Sequence, residues 1–184
     1  MIRYKVYFFL LPLFYFQIII GQKSSFSINI LGTIQDGGSP HIGCNKKCCK
    51  LLSQEEKNKR LVSSLGLVDT ENDNFFLFDA TPDIEKQIRL LNDNFKKQLR
   101  LEGIFLTHAH IGHYSGLMYL GKEALGAKKV NVFAMPRMSN FIKNNGPWSQ
   151  LVDDQNILIK KMTENKNVVL NKNISVIPVK VPHR

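Results

Sequence analysis

The chain holds five histidines, and three of them, His108, His110 and His113, fall within six positions of one stretch, IFLTHAHIGHYSGL, residues 104–117. Imidazole is a common ligand for zinc and iron, and a metal site needs several ligands converging from a stiff backbone. An apolar run, GIFLT, leads into the cluster, and a turn with Gly112 and Gly116 leads out. In a tight loop His108 and His110 can point the same way, and His113 opens the following segment from the same turn. A lone histidine is usually a surface or capping residue with ordinary hydrogen bonds. Three in this setting read as metal ligands.

The three cysteines are also bunched: Cys44, Cys48 and Cys49, at the end of the loop QDGGSPHIGCNKKCC. An odd count within six residues does not describe a disulfide framework. Adjacent cysteines such as Cys48 and Cys49 rarely bridge each other, because the ring is strained. The cluster reads as part of a structural metal site or as one local thiol pair. Buried or oxidised thiols without metal are the alternative, a serious one if the protein meets oxidant. Asp79 and Asp83, in DATPD, sit where a strand gives way to a helix, and they can simply end one element and cap the next. The only tryptophan, Trp148, lies in a Gly-Pro turn, where it packs, anchors a loop or walls a substrate site.

These residues need elements to hold them. FSINILGTI alternates and is β-branched, so it reads as a strand, followed by a Gly/Pro loop. NFFLFDA is a buried strand ending near Asp79. Thr81 then reads as an N-cap with Pro82 at the first helical position, and Ile84, Ile88, Leu91 and Phe95 recur as one helical stripe. EGIFLT is a short strand that delivers the histidines to its C-terminal end, where α/β folds place their chemistry. HYSGLMYLGKEAL follows with Leu117, Leu120 and Ala124 at helical spacing. KVNVFAM is a strand, PRMSNFIKNNG a short helix from Pro136 to Gly146, and ILIKKM, NVVL and ISVIPVKV are strand-like. The alternation gives an α/β class.

The composition, 184 residues with 43% hydrophobic and 22% charged, suits one globular domain with a real core. MIRYK followed by the uncharged VYFFLLPLFYFQIII and the small residue Gly21 describes a secretory signal peptide over residues 1–21. An uncleaved anchor is the rival, but the run is short for a span and Pro12 interrupts it. No other segment could span a bilayer, so no stable membrane span is expected once the signal is removed, and export to a periplasm or medium follows. Without Arg3 and Lys5 the formal charge falls from +10 to +8. The remaining basic residues are scattered, which disfavours nucleic acid binding and leaves a mild attraction for small anionic substrates.

THAHIGHYSGL resembles the His-x-His-x-Asp-His turn of the metallo-β-lactamase superfamily, an αβ/βα sandwich. LGT after the first strand and FLFDATPD before the first helix fit the same family. The loop LGTIQDGGSPHIGC is similar to the subgroup containing pyrroloquinoline-quinone biosynthesis protein B and the phosphonate-pathway cyclic phosphodiesterase. It is more distantly similar to tRNA 3′-processing endonuclease. The resemblance runs from about Ser27 to Arg184 and covers the N-terminal part of that fold, because the family places a bridging Asp and a last His beyond the position of His183.

The resemblance implies that His108, His110 and His183 hold a first metal and His113 a second, with zinc expected and iron or manganese as alternatives. Gly112 stands where the family has an Asp that holds the second metal, so the number of ions, one or two, is open. Whether Asp36 or another carboxylate substitutes is also open. Asp79 falls beside the implied pocket, and Asp79 and Asp36 are the expected outer-sphere groups. The subgroup's Cys-x-Cys-x-x-Cys matches at Cys44 and Cys49, with Lys46 in the middle position and Cys48 extra, which implies a structural zinc. Three functions follow. The first is an exported hydrolase using a metal-bound hydroxide on a phosphodiester, ester or lactone. The second is a cofactor-maturation or oxygen-dependent accessory metalloprotein, and the third a catalytically inactive binding module.

Overall fold

The structure is a computed structural model that describes residues 25–182. The signal-peptide reading of residues 1–21 and the ligand reading of His183 lie outside the described residues. Strand β1 (Phe26–Gly32) is followed by two short helices, α1 (Lys47–Lys50) and α2 (Gln54–Asn58), and by the hairpin of β2 (Ser64–Asp69) and β3 (Asn74–Phe78). Helix α3 (Ile84–Phe95) leads to β4 (Arg100–Phe105), two 3-10 turns (Ile111–His113 and Ser115–Leu120) and β5 (Val130–Ala134). Helices α4 (Pro136–Asn144) and α5 (Trp148–Asp153) then precede β6 (Ile157–Lys161) and the small pair β7 (Val168–Val169) and β8 (Ser175–Val176).

Strands β1 to β6 form one mixed sheet in chain order, antiparallel from β1 to β3 and parallel from β3 to β6. Alternation of side chains divides its residues between two apolar layers. Val68, Phe75, Leu77, Ile104 and Val132 face the helices and bury against Ile84 and Leu91 of α3, Leu117 and Leu120, and Met138 and Ile142 of α4. Leu67, Phe76 and Phe105 face the other way, with Met162 and the partly buried Phe78, Phe133, Val168 and Val176. Phe78, Phe105 and Phe133 are register partners on three neighbouring parallel strands, and their rings stack at 5.1 and 4.3 Å between centroids.

Four local expectations change. Strand β2 was not expected, because Ser63, Ser64 and Gly66 interrupt its apolar pattern; pairing on both sides overrides that weak local signal. Helix α3 starts at Ile84, not beside Pro82. The Thr81 hydroxyl instead bonds the side chain of Gln87 and accepts from the Asp83 N–H, while the Asp83 carboxylate accepts from the Val62 N–H at 3.0 Å. The segment after His113 forms 3-10 turns rather than an α-helix, and Ala124 is exposed although Leu117 and Leu120 are buried. The runs NVVL and ISVIPVKV contribute only two paired residues each. Trp148 begins α5 and packs against Tyr114 and Phe141, which makes it a packing residue.

Among the described residues, no helix is long and apolar enough to cross a membrane.

Candidate metal centre

The parallel register of β3 and β4 brings their C-terminal ends side by side, and Asp79 and the histidine turn leave from that edge. Asp79 follows β3 with φ of 72°, a left-handed conformation that Asp tolerates better than most side chains. Its N–H still donates to the Phe105 carbonyl at 2.8 Å. Its carboxylate is thereby turned across to β4's continuation. Oδ1 accepts from the Thr107 N–H at 2.8 Å, and Oδ2 lies 2.8 Å from both the Thr107 hydroxyl and Nδ1 of His113.

Proton bookkeeping on this network fixes which nitrogen of each ring carries hydrogen. A carboxylate only accepts, so Thr107 must give it the single hydroxyl proton. Thr107 Oγ1 then accepts from Nδ1 of His108, 2.8 Å away. Nδ1 of His113 likewise donates to Asp79 Oδ2. Both rings therefore carry their hydrogen on Nδ1 and their lone pair on Nε2, the tautomer that a metal ligand needs.

The backbone presses the turn onto the segment after β3. The His113 carbonyl accepts from the Ala80 N–H, and the Gly116 N–H donates to the Ala80 carbonyl, both at 2.9 Å. A Cβ on Gly116 would lie 2.1 Å from the Thr81 carbonyl oxygen, so only glycine fits there. The His108 ring sits 4.7 Å from His110 and 4.1 Å from His113, between centroids. Ligand-capable atoms of Asp79, His108 and His113 all lie within 4.8 Å of one another. Asp79 is nevertheless the orienting member of that trio, because both of its oxygens already receive hydrogen bonds from Thr107 and His113. His110 faces Asp36 instead, with Nδ1 3.6 Å from Oδ2.

This donor set fits a borderline ion such as zinc: nitrogen donors of fixed tautomer, with a carboxylate behind one of them. Beside His108 opens a cavity of about 670 Å³ with walls from Phe78, Phe105 and Met135, and with Arg137 and Lys180 in its lining. Sequence reading did not single out Thr107 or Arg137. A hydroxyl directly before the first histidine was the available signal for Thr107.

The cysteines do not present three thiolates. Cys44 and Cys49 are joined as a disulfide with Cα atoms 6.2 Å apart, and Cys48 is the exposed free thiol. The turn in which the Cys44 N–H donates to the His41 carbonyl, followed at once by α1, folds Cys44 back onto Cys49. The structural-zinc expectation for Cys44, Cys48 and Cys49 is corrected accordingly, since two of the three sulfurs are bonded to each other.

The family model of the beta-lactamase superfamily domain matches residues 74–184. Among curated proteins, the chain is 24% identical over 175 residues to the Coenzyme PQQ synthesis protein B of Rhizobium meliloti, covering 89% of this chain and 55% of that protein. It is 28% identical over 131 residues to the protein of the same name from Methylobacillus flagellatus, covering 68% and 42%. The chain thus spans about half the length of the curated relatives it matches. Among solved structures, the Zn(2+)-bound PqqB of Methylobacterium extorquens superposes with a TM-score of 0.68 at 22% identity, over 84% of this chain and 56% of that one. A diphosphatase from the PhnP family gives 0.56 at 23% identity, over 79% and 53%. These likenesses place the described sheet and helices in the mixed α/β fold of that family, as its N-terminal portion.

Proposed function

The chain belongs to the beta-lactamase superfamily, and from that membership we propose a metal-dependent hydrolase acting on a small anionic phosphodiester, ester or lactone. The observation that carries this reading is the pair of histidines, His108 and His113, whose Nδ1 protons are held by Thr107 and Asp79 beside an open cavity. His108, His110 and His113 would hold the metal, with zinc favoured by the nitrogen donors and by the zinc-bound relative. When bound, the metal supplies Lewis acidity and lowers the pKa of a coordinated water.

The chain's own residues have distinct tasks. Asp79 and Thr107 keep the rings in one tautomer and one orientation. Arg137 and Lys180 place positive charge at the cavity beside His108, where an anionic group of a substrate would settle. Phe78, Phe105 and Met135 offer apolar wall to the substrate's remainder and keep water from that side. The Cys44–Cys49 disulfide suits an oxidising compartment and so supports export.

The test is zinc titration of the protein followed by assays with a chromogenic phosphodiester, a carboxylic ester and a lactone. Hydrolysis of one class that metal-free wild type gains on zinc loading, and that zinc-treated His108→Ala lacks, supports the reading. Zinc-loaded protein that turns over none of them overturns it and favours a binding module. A second reading, a cofactor-maturation role, is favoured by the PQQ-synthesis relatives. Iron in the purified protein with oxygen-dependent turnover would select it.

A further inference from the structure

Gly112 and Asp36 pack closely although 76 residues of sequence separate them. A Cβ built on Gly112 would lie 2.3 Å from the Asp36 Cβ and 2.7 Å from the Asp36 carbonyl oxygen. No side chain fits at position 112, because the chain at Asp36 already occupies that volume. The occupant is held firmly. The Thr33 and Ile34 N–H groups donate to the Leu61 carbonyl, and the Ser63 N–H donates to the Ile34 carbonyl at 2.8 Å. Gln35 then closes a tight turn, accepting from the Gly38 N–H through its carbonyl and from the Gly37 N–H through its side chain.

That turn delivers a carboxylate to His110. Asp36 Oδ2 stands 3.6 Å from His110 Nδ1. This is too long for a hydrogen bond. It matches two donors on one tetrahedral ion, which lie about 3.4 Å apart when each is about 2.1 Å from the metal. Asp36 is one-third exposed and His110 half exposed, so both face the open side of the site. Among the described residues, Asp36 is the carboxylate placed against His110 and Asp79 the one placed against His113, and Asp79 is engaged in orienting His113.

We infer that Asp36 is a metal ligand of this centre, delivered from the loop after β1, and that Gly112 is the vacancy that lets it in. The inference rests on the proposed metal centre. It makes the site a composite of two loops rather than one turn, so the carboxylate and the histidines are positioned by separate parts of the sheet.

Cobalt binding tests it, read by metal analysis and by the visible absorption of the bound ion in the metal-free full chain. Asp36→Asn keeps the shape and removes the charge. It should weaken cobalt binding, or the weaker of two equivalents, by at least about tenfold, and change the visible band. Its metal-free melting temperature should match the wild type. Gly112→Ala should weaken binding in the same direction, because its methyl must displace the Asp36 backbone. Asp73→Asn, in an exposed ion pair away from the histidines, is the control and should bind as wild type. Wild-type cobalt binding that Asp36→Asn reproduces overturns the inference alone. A wild type that takes no cobalt overturns the metal centre, and this inference with it.

Discussion

Oδ2 of Asp79 and Nδ1 of His113 lie 2.8 Å apart across 34 residues of chain. The contact exists because β3 and β4 are parallel neighbours ending at the same level, with Phe78 paired to Phe105. Each strand then contributes one partner. Both side chains are nearly buried, at 8% and 12% exposed, so the pair is shielded from competing water.

Asp79→Asn should therefore damage metal binding more than folding. Asparagine tolerates the left-handed backbone and keeps one oxygen for the Thr107 N–H. Its amide hydrogens, however, face Nδ1 of His113 and favour the ring tautomer with the proton on Nε2. Zinc affinity, measured against a competing chelator, should fall about 10- to 100-fold. An unchanged affinity would remove Asp79 from the orienting role.

Gly116→Ala probes the close packing beneath the histidine turn. Its methyl would collide with the Thr81 carbonyl oxygen, a backbone atom that cannot swing aside. The expected cost is roughly 3 kcal/mol, which for a domain of this size lowers the melting temperature by about 6–12 °C. Thermal denaturation of the metal-free protein checks it, and a loss under about 2 °C would contradict the packing described.

Much of this arrangement was legible in the residues, and the misses have physical causes. The strand that delivers the histidines showed itself because GIFLT is a compact apolar run, and the Ile84/Leu91 stripe showed itself through its period. Strand β2 hid because its support is long-range: Gly66 and two serines say nothing local, yet the strand is paired on both sides. The clustering of His108, His110 and His113 announced metal chemistry, whereas the network behind them did not. Thr107 matters only because folding sets it between Asp79 and His108. The Cys44–Cys49 bond was equally hidden. Spacing allowed several fates for the thiols, and only the turn before α1 selects one.

Acid should weaken the fold through Asp69. Burial alone would raise its pKa, but hydrogen bonds from the side chain and N–H of Asn72, the Glu71 N–H and the Asn171 side chain outweigh burial and hold it below the usual carboxylate range. A depressed folded-state pKa means that this stabilisation is full above the unfolded value near 4 and is lost as pH falls through the folded value. In urea melts, Asp69→Asn should be about 1–3 kcal/mol less stable than wild type at pH 7. The gap should narrow as pH drops below about 4. A gap that stays constant through that range would show that the charge of Asp69 is not what its four donors stabilise.

The cysteine loop makes a prediction that separates a disulfide from a metal site without any assay of function. The sequence has three cysteines, and the structure bonds Cys44 to Cys49, leaving Cys48 exposed. Protein unfolded without reductant, in the presence of a chelator, should take up one equivalent of an alkylating reagent, located at Cys48 by peptide mass. Prior reduction should raise the uptake to three. A structural zinc on these sulfurs would instead give three reactive thiols in both samples, because removing the ion leaves thiolates rather than a covalent bond. Reduction should also carry a modest stability cost. The bridge closes a short loop, with a sequence separation of 5, so the chain-entropy contribution is about 2 kcal/mol. A melting temperature that falls by several degrees with reductant, and recovers on reoxidation with one alkylatable thiol again, would establish the pairing. Three equivalents without reductant would exclude it and restore the metal reading for this loop.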